Sequence, residues 1–339
     1  MRGRFWLAGL TVVVVGVVLS ARATVIPAAP IAGAGQGAET SQVSGSWTAE
    51  THPEWKGDDV VPRVQLSLRT VEDRDHWGFG VPMAELADLP GAAREGVVSD
   101  ARFTLARDAG TFRFTGSFDG GQGAGTFVFS PSGAYVSAMA QFGYRNLSTE
   151  QLMRLAVLDV TSAFTRDLRD AGQANLALDD LTRMKIHGLT GAVVRGFGAA
   201  GLVALAPDDL VRLRIHGVTT EFIAGLKSRN YSGLTADDYT RMRIHGVTLD
   251  EIDALATAGL RGLSADDLVR FRIHQVRPEF IREMRGVGFT NADEDDFVKM
   301  RIHKVDAAFV REARADGLQV TTVDDAVDLA IHGRRWRKR

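Results

Sequence analysis

The chain has 339 residues, 45% of them hydrophobic and 24% charged, and its formal net charge is −2. That is an ordinary balance for a folded chain of two-domain size, and it gives the whole molecule no electrostatic reason to seek nucleic acid. Cysteine is absent, which excludes disulfides, thiolate catalysis, thiolate metal ligands and lipid attachment at a cysteine.

Met1-Arg2-Gly3-Arg4 precedes an apolar run from Phe5 to Leu19, followed by Ser20-Ala21-Arg22-Ala23. A basic start, an apolar run and a small-x-small site read as a secretory signal over residues 1–23, cleaved after Ala23. The competing reading is an uncleaved anchor, although such a run covers only about 22 Å as a helix against a ~30 Å hydrocarbon core. The expected location is therefore periplasmic or extracellular, with inner-membrane anchoring through residues 5–19 as the alternative. Residues 24–43, rich in Ala, Gly and Pro, read as a flexible linker.

From 44 to 130 apolar and polar residues alternate. Val64-Gln65-Leu66-Ser67-Leu68, Trp77-Gly78-Phe79-Gly80-Val81, Phe103-Thr104-Leu105, Phe112-Arg113-Phe114 and Phe127-Val128-Phe129 all have period two. This pattern predicts an antiparallel β domain of about six strands with one buried face, either an open sheet or a small barrel. The glycine-rich stretch 120–125 reads as a hairpin connection. Gly45-Ser46-Trp47 resembles the Gly-x-Trp of lipocalin-type barrels, and equally fits a core Trp beside a turn Gly.

From 131 to 333 a repeat of 29 residues takes over. Ile-His recurs at 186–187, 215–216, 244–245, 273–274, 302–303 and 331–332, so six of the eight histidines occupy one column. In the copy 233–261, Thr235 before Asp237-Asp238 predicts an N-cap. Tyr239, Met242 and Ile244 supply the apolar side of a first helix, and Gly246 ends it. A second helix carries Ile252 and Leu255. Two short amphipathic helices per unit make a helical hairpin that cannot bury its apolar face alone, so successive hairpins stack into a solenoid. The predicted fold class is α+β, an N-terminal antiparallel β domain followed by an all-α repeat solenoid. A lone helix from Ser132 to Phe142 opens the array and another from Thr322 to His332 closes it. A basic tail covers 334–339.

On a helical wheel Leu210, Val211, Leu213 and Ile215 share the apolar side, while Asp209, Arg212 and His216 share the other. The second stripe recurs in five units, and its candidate partner-binding residues are Arg183, His187, Arg212, His216, Arg241, His245, Arg270, His274, Lys299 and His303. It reads either as helix capping and solvation or as a ladder gripping an extended partner. A second basic column (Lys185, Arg214, Arg243, Arg272, Arg301) falls within the apolar arc, where each cation needs helix-end carbonyls or an acid of the adjacent unit.

The histidine column is not expected to bind metal, because ligands lie about 2.0–2.1 Å from Zn²⁺ while packed helices lie about 8–10 Å apart. No His-Glu-x-x-His, Gly-x-Ser-x-Gly, phosphate-binding loop or dinucleotide fingerprint occurs, so neither a catalytic residue nor a cofactor is expected. The expected partner is a protein or peptide of the cell envelope, without nucleic acid. Membrane contact is expected only through an uncleaved anchor or the basic tail. Two alternatives are an apolar small molecule held by the β domain and an envelope enzyme using His52, Glu54 or His76, the last flanked by Asp73 and Asp75.

The units, with phrases such as 208–223 (DDLVRLRIHGVTTEFI), resemble repeats in the extracytoplasmic C-terminal region of beta-lactam-sensor-type membrane metallopeptidases and of related secreted bacterial proteins. The resemblance covers about 131–333. The peptidases' zinc motif and several membrane spans are not in this sequence, so the resemblance implies only an accessory sensor or interaction role.

Overall fold

In β1 (Val43–His52) alternate side chains turn inward, and Trp47 and Ala49 are buried there. The computed structural model describes residues 42–52, 61–71 and 76–333, with the backbone only at His52. The signal segment, nearly all of the linker and the basic tail lie outside the described residues, as do Pro53, Glu54, Asp73 and Asp75.

β2 (Arg63–Thr70), β3 (His76–Pro82), β4 (Leu86–Ala87), β5 (Val97–Arg107), β6 (Gly110–Asp119) and β7 (Gln122–Pro131) complete one antiparallel sheet. Its order is β3-β2-β1-β7-β6-β5-β4, so β1 pairs with β7 across the length of the domain sequence. Among the described residues the strands number seven rather than about six, because the two-residue β4 is too short to carry a period-two signal. Only Gly120 and Gly121, both at positive φ, form the β6–β7 turn; residues 122–125 are paired strand, not connection. Gly125 is in that strand because a Cβ there would stand 2.0 Å from the Thr115 carbonyl.

The inward face is filled with rings. Phe103 stacks on Phe114 at 4.6 Å, Phe112 meets Phe129 at 4.7 Å, and Trp47 stands edge-on to Phe103 at 5.2 Å. The Trp47 indole N–H donates to the Thr115 and Thr126 carbonyls, both at 3.1 Å, so its one polar atom is satisfied. Gly45 makes room at the wall, since a Cβ there would stand 2.8 Å from the Phe127 ring.

Helices follow from Gly133. The second helices of the hairpins, called B, are α1 (Gly133–Gln141), α3 (Ser162–Asp170), α5 (Gly191–Ala199), α7 (Thr220–Lys227), α9 (Leu249–Thr257), α11 (Pro278–Gly286) and α13 (Ala307–Ala315). The first helices, called A, are α2 (Thr149–Val157), α4 (Leu178–Ile186), α6 (Pro207–Ile215), α8 (Ala236–Ile244), α10 (Ala265–His274), α12 (Glu294–Ile302) and α14 (Val323–His332). A packs on A and B on B in consecutive units, which is the solenoid. Among the described residues the first helix is α1 and the last is α14.

Helices of nine residues are marginal alone in water, so stacking has to hold them. Leu210, Val211 and Leu213 of α6 are buried, each worth about 1.5–3 kcal/mol. A cap adds about 1 kcal/mol. Thr235, Ser264, Asp293 and Thr322 cap α8, α10, α12 and α14 in reciprocal boxes with the aspartate three residues on. Where Ala177 and Ala206 stand at the cap, no side-chain bond forms. Burial therefore outweighs capping, and the array continues through the uncapped units.

Sheet and helices share one core within the compact unit from Thr40 onward. Tyr135 of α1 donates its buried hydroxyl to the Val160 carbonyl at 2.8 Å, and burial pushes its ionisation above the usual phenol range. Asp108, just after β5, accepts from the Ser162 backbone N–H and hydroxyl at 2.7 Å each. The degenerate first A helix, α2, packs on β1, β6 and β7, which is why Val157 is buried there.

Candidate functional site

Each A helix places its acids in the first turn and its bases in the last, an order matching the helix dipole. The outer basic column turns out to be a clamp between units. Arg183 meets Asp208, Arg212 meets Asp237, and Arg241 meets Asp266, each at 2.7 Å. Arg270 meets Asp295 at 2.6 Å, and Lys299 meets Asp324. Every step is 25 residues, from the last turn of one A helix to the first turn of the next. Four of these cations also face an aspartate on their own helix, as Arg183 does Asp180 and Arg270 does Asp267, both at 3.2 Å. Hydrogen bonds to Asp208, Asp295 and Asp324 raise the pKa values of Arg183, Arg270 and Lys299 above their ordinary values.

The ladder starts one copy earlier than the five units suggest. Arg154 of α2, 29 residues before Arg183, reaches Asp179 at 2.9 Å. Sequence reasoning passed over it because Val157-Leu158 stands there in place of Ile-His; the spacing alone would have found it. At α14, the last A helix among the described residues, Asp328 stands where the preceding A helices carry the cation.

The inner column caps helices. Arg214, Arg272 and Arg301 donate Nε–H to the carbonyls of His187, His245 and His274, at 3.2, 3.0 and 3.2 Å. Those carbonyls belong to the end of the preceding A helix, where no intrahelical partner exists. Four of these five cations also meet the third residue of the B helix 21 positions earlier. Arg243 lies 5.1 Å over the Phe222 ring, Arg301 5.1 Å over Phe280, and Lys185 5.3 Å over Phe164. Where that position is Glu251, Arg272 pairs with the carboxylate at 3.4 Å instead. Lys185 pairs with Asp159 at 3.2 Å. A parallel column on the B helices escaped the sequence reading: Arg169, Lys227, Arg285 and Arg314 donate to the carbonyls of Phe142, Ala200, Ala258 and Val287. Gly198 and Ala256 interrupt it, and that hid its period.

The histidines sit at the ends of the A helices. His187, His245, His274 and His303 are half-buried, and His216 and His332 are exposed. Among the described residues no group of three or more His, Asp or Glu is placed to hold a metal. The isoleucines beside them require a correction. Ile215 and Ile244 were expected on the apolar side, yet all six are about half-exposed, from 46% at Ile186 to 54% at Ile215. Each lies in the last turn of its helix, at the end of the buried stripe. The A-helix ends thus present a row of half-exposed isoleucines flanked by histidines.

His76 opens β3, exposed and paired through the backbone register with Arg69. The His52 side chain and Glu54 lie outside the described residues. Among the described residues no helix is long and apolar enough to cross a membrane. Comparison with protein-family models found no match to this chain, and comparison with curated proteins found none.

Proposed function

We propose that this chain is a non-enzymatic extracytoplasmic scaffold that binds a protein or peptide partner of the cell envelope through its helical repeats. The observation that carries this reading is the row of half-exposed isoleucine and histidine pairs, one pair per unit, on a frame clamped by inter-unit ion pairs. Within the Asp/Arg/His stripe, the arginines and Lys299 hold neighbouring units together, so the histidines and adjacent isoleucines supply the binding edge. Each contact of such an edge is weak alone, but contacts on one rigid frame add without a separate ordering cost. The signal-like start of the sequence motivates export, and the resemblance of the repeats to sensor-type accessory regions agrees with an interaction role.

An apolar ligand inside the β domain is less favoured, because Trp47 and the phenylalanines already occupy that interior. The test is co-purification of the full chain from the envelope fraction, with and without serine at Ile215, Ile244 and Ile273. A partner captured by the parent and lost by the variant supports the reading. A partner retained by the variant moves the binding edge elsewhere. Terminal sequencing tests export, with Thr24 as the expected first residue and an intact Met1 pointing to the anchor.

A further inference from the structure

The six A-helix copies from 178 to 332 can be compared position by position. Buried positions vary: one core column reads Leu181, Leu210, Tyr239, Leu268, Phe297 and Ala326. The next reads Met184, Leu213, Met242, Phe271 and Met300, followed by the partly buried Leu329. The half-exposed position is isoleucine in all six copies, and the residue after it is histidine in all six. Packing constrains a half-exposed site less than a buried one, so packing alone predicts the opposite distribution. The pattern marks a surface that something outside the fold reads.

Charge says what kind of surface it is. The outer cations are each matched by a carboxylate. In the inner row, Lys185 and Arg272 have Asp159 and Glu251. Arg214 and Arg301 are held by carbonyls and Arg243 lies over a ring, none of the three against a carboxylate among the described residues. A carbonyl positions a guanidinium without cancelling its charge. The middle of the isoleucine row is therefore bordered by unneutralised cations. The acids that open the B helices following these cations, Glu221, Asp250 and Asp306, form no ion pair with them among the described residues. A second copy docked face to face would set these cations against one another, since a two-fold interface repeats the same patch on both sides.

Spacing narrows the partner further. Stacked helices lie about 8–10 Å apart. A polyproline-type extended strand rises about 3.1 Å per residue with three residues per turn, so every third side chain returns to one face after about 9 Å. We infer that the isoleucine row docks an extended, acidic segment of a partner protein that carries an apolar residue at every third position, with carboxylates between them facing Arg214, Arg243 and Arg301. This rests on the scaffold reading and names the partner's chemistry.

The test uses the purified full chain and a labelled peptide, (Glu-Ile-Pro)6. Fluorescence anisotropy should detect binding that is roughly tenfold or more weaker for an isomer of the same composition with its isoleucines clustered. Serine at Ile215, Ile244 and Ile273 together should weaken binding by a similar factor, roughly tenfold, with the helical signal unchanged because those side chains are half in water already. The lysine peptide (Lys-Ile-Pro)6 should not bind. Equal binding of the clustered isomer or the lysine peptide, or an unaffected serine variant, overturns the inference. So does a chain that ignores the peptide and captures phosphatidylglycerol vesicles, which would make the edge a membrane surface. If an envelope partner depends on the isoleucines while the peptide fails, the scaffold reading survives and this inference falls.

Discussion

Arg272 donates its Nε–H at 3.0 Å to the carbonyl of His245, the residue that closes the A helix one unit earlier. The same guanidinium reaches Glu251, at the start of the B helix between them. One side chain thus ties together three helices of two units, and it occupies a place where every inner unit has a cation.

Removing that tie should cost more than its exposure suggests. Arg272→Met leaves an unpaired helix-end carbonyl and an unpaired, largely buried Glu251, and should lower stability by about 1–2 kcal/mol in a thermal or urea melt. Glu251→Phe should fall within about 0.5 kcal/mol of the parent, because a ring under the cation is the arrangement found at Phe222 and Phe280. A large loss for Glu251→Phe would show that the unit is tuned to the ion pair.

Deleting one whole unit, 233–261, should leave a folded, shorter array. Asp266 then takes the place of Asp237 against Arg212, and Arg272 meets the carbonyl of His216, so these inter-unit contacts are replaced by their copies, while the Arg229–Asp253 pair is lost because Arg282 takes the place of Asp253. Deleting about half a unit sets A helices against B helices and should lower the melting temperature sharply. Circular dichroism melts of the two variants make the comparison, and similar melting would contradict the stacked arrangement.

Reversing Arg212, Arg241 and Arg270 to Glu places each new carboxylate between the aspartate of its own helix and that of the next. Repulsion replaces attraction at three successive junctions, so the melting temperature should drop by several degrees at low salt. The drop should shrink in high salt, since the pairs are half-exposed and screened. A drop independent of salt would point to lost stem packing instead.

Asp325 caps the closing helix, accepting from the Thr322 backbone at 2.8 Å and from the Thr321 backbone and hydroxyl at 3.0 Å each. The Thr322 and then Thr321 hydrogen bonds pull its pKa from 3.8 to about 2. A depressed folded pKa means that the cap's contribution is fully present above the ordinary value and is lost as pH falls from near 4 to near 2. Carbon-detected NMR titration should place the Asp325 midpoint near that low value, and Thr322→Ala should move it back toward the ordinary carboxylate range. An unmoved midpoint in that variant would mean that the backbone N–H groups, which the substitution leaves in place, hold the charge without the Thr322 hydroxyl.

Much of the architecture was determined by the sequence alone, because its causes are local. Alternation at 64–68 and 112–114 reports one buried face of a strand, and Thr235 with Asp238 reports a helix start, whatever packs against them. The 29-residue recurrence of Ile-His needs no coordinates, and it implied stacking because a lone hairpin leaves its apolar side in water. The roles of the columns were not local. Arg212 and Arg214 are two residues apart on one helix, yet one reaches forward to Asp237 and the other backward to the carbonyl of His187. Only the offset between neighbouring units settles that. The wheel put Ile215 beside Leu213 on the apolar side, but a wheel has no ends, and the last turn lies at the end of the buried stripe, where about half of the side chain stays in water. Strand order and the pairing of β1 with β7 likewise depend on how the sheet curls around its rings. Local periodicity determined which residues avoid water; tertiary stacking decided which of them still face it.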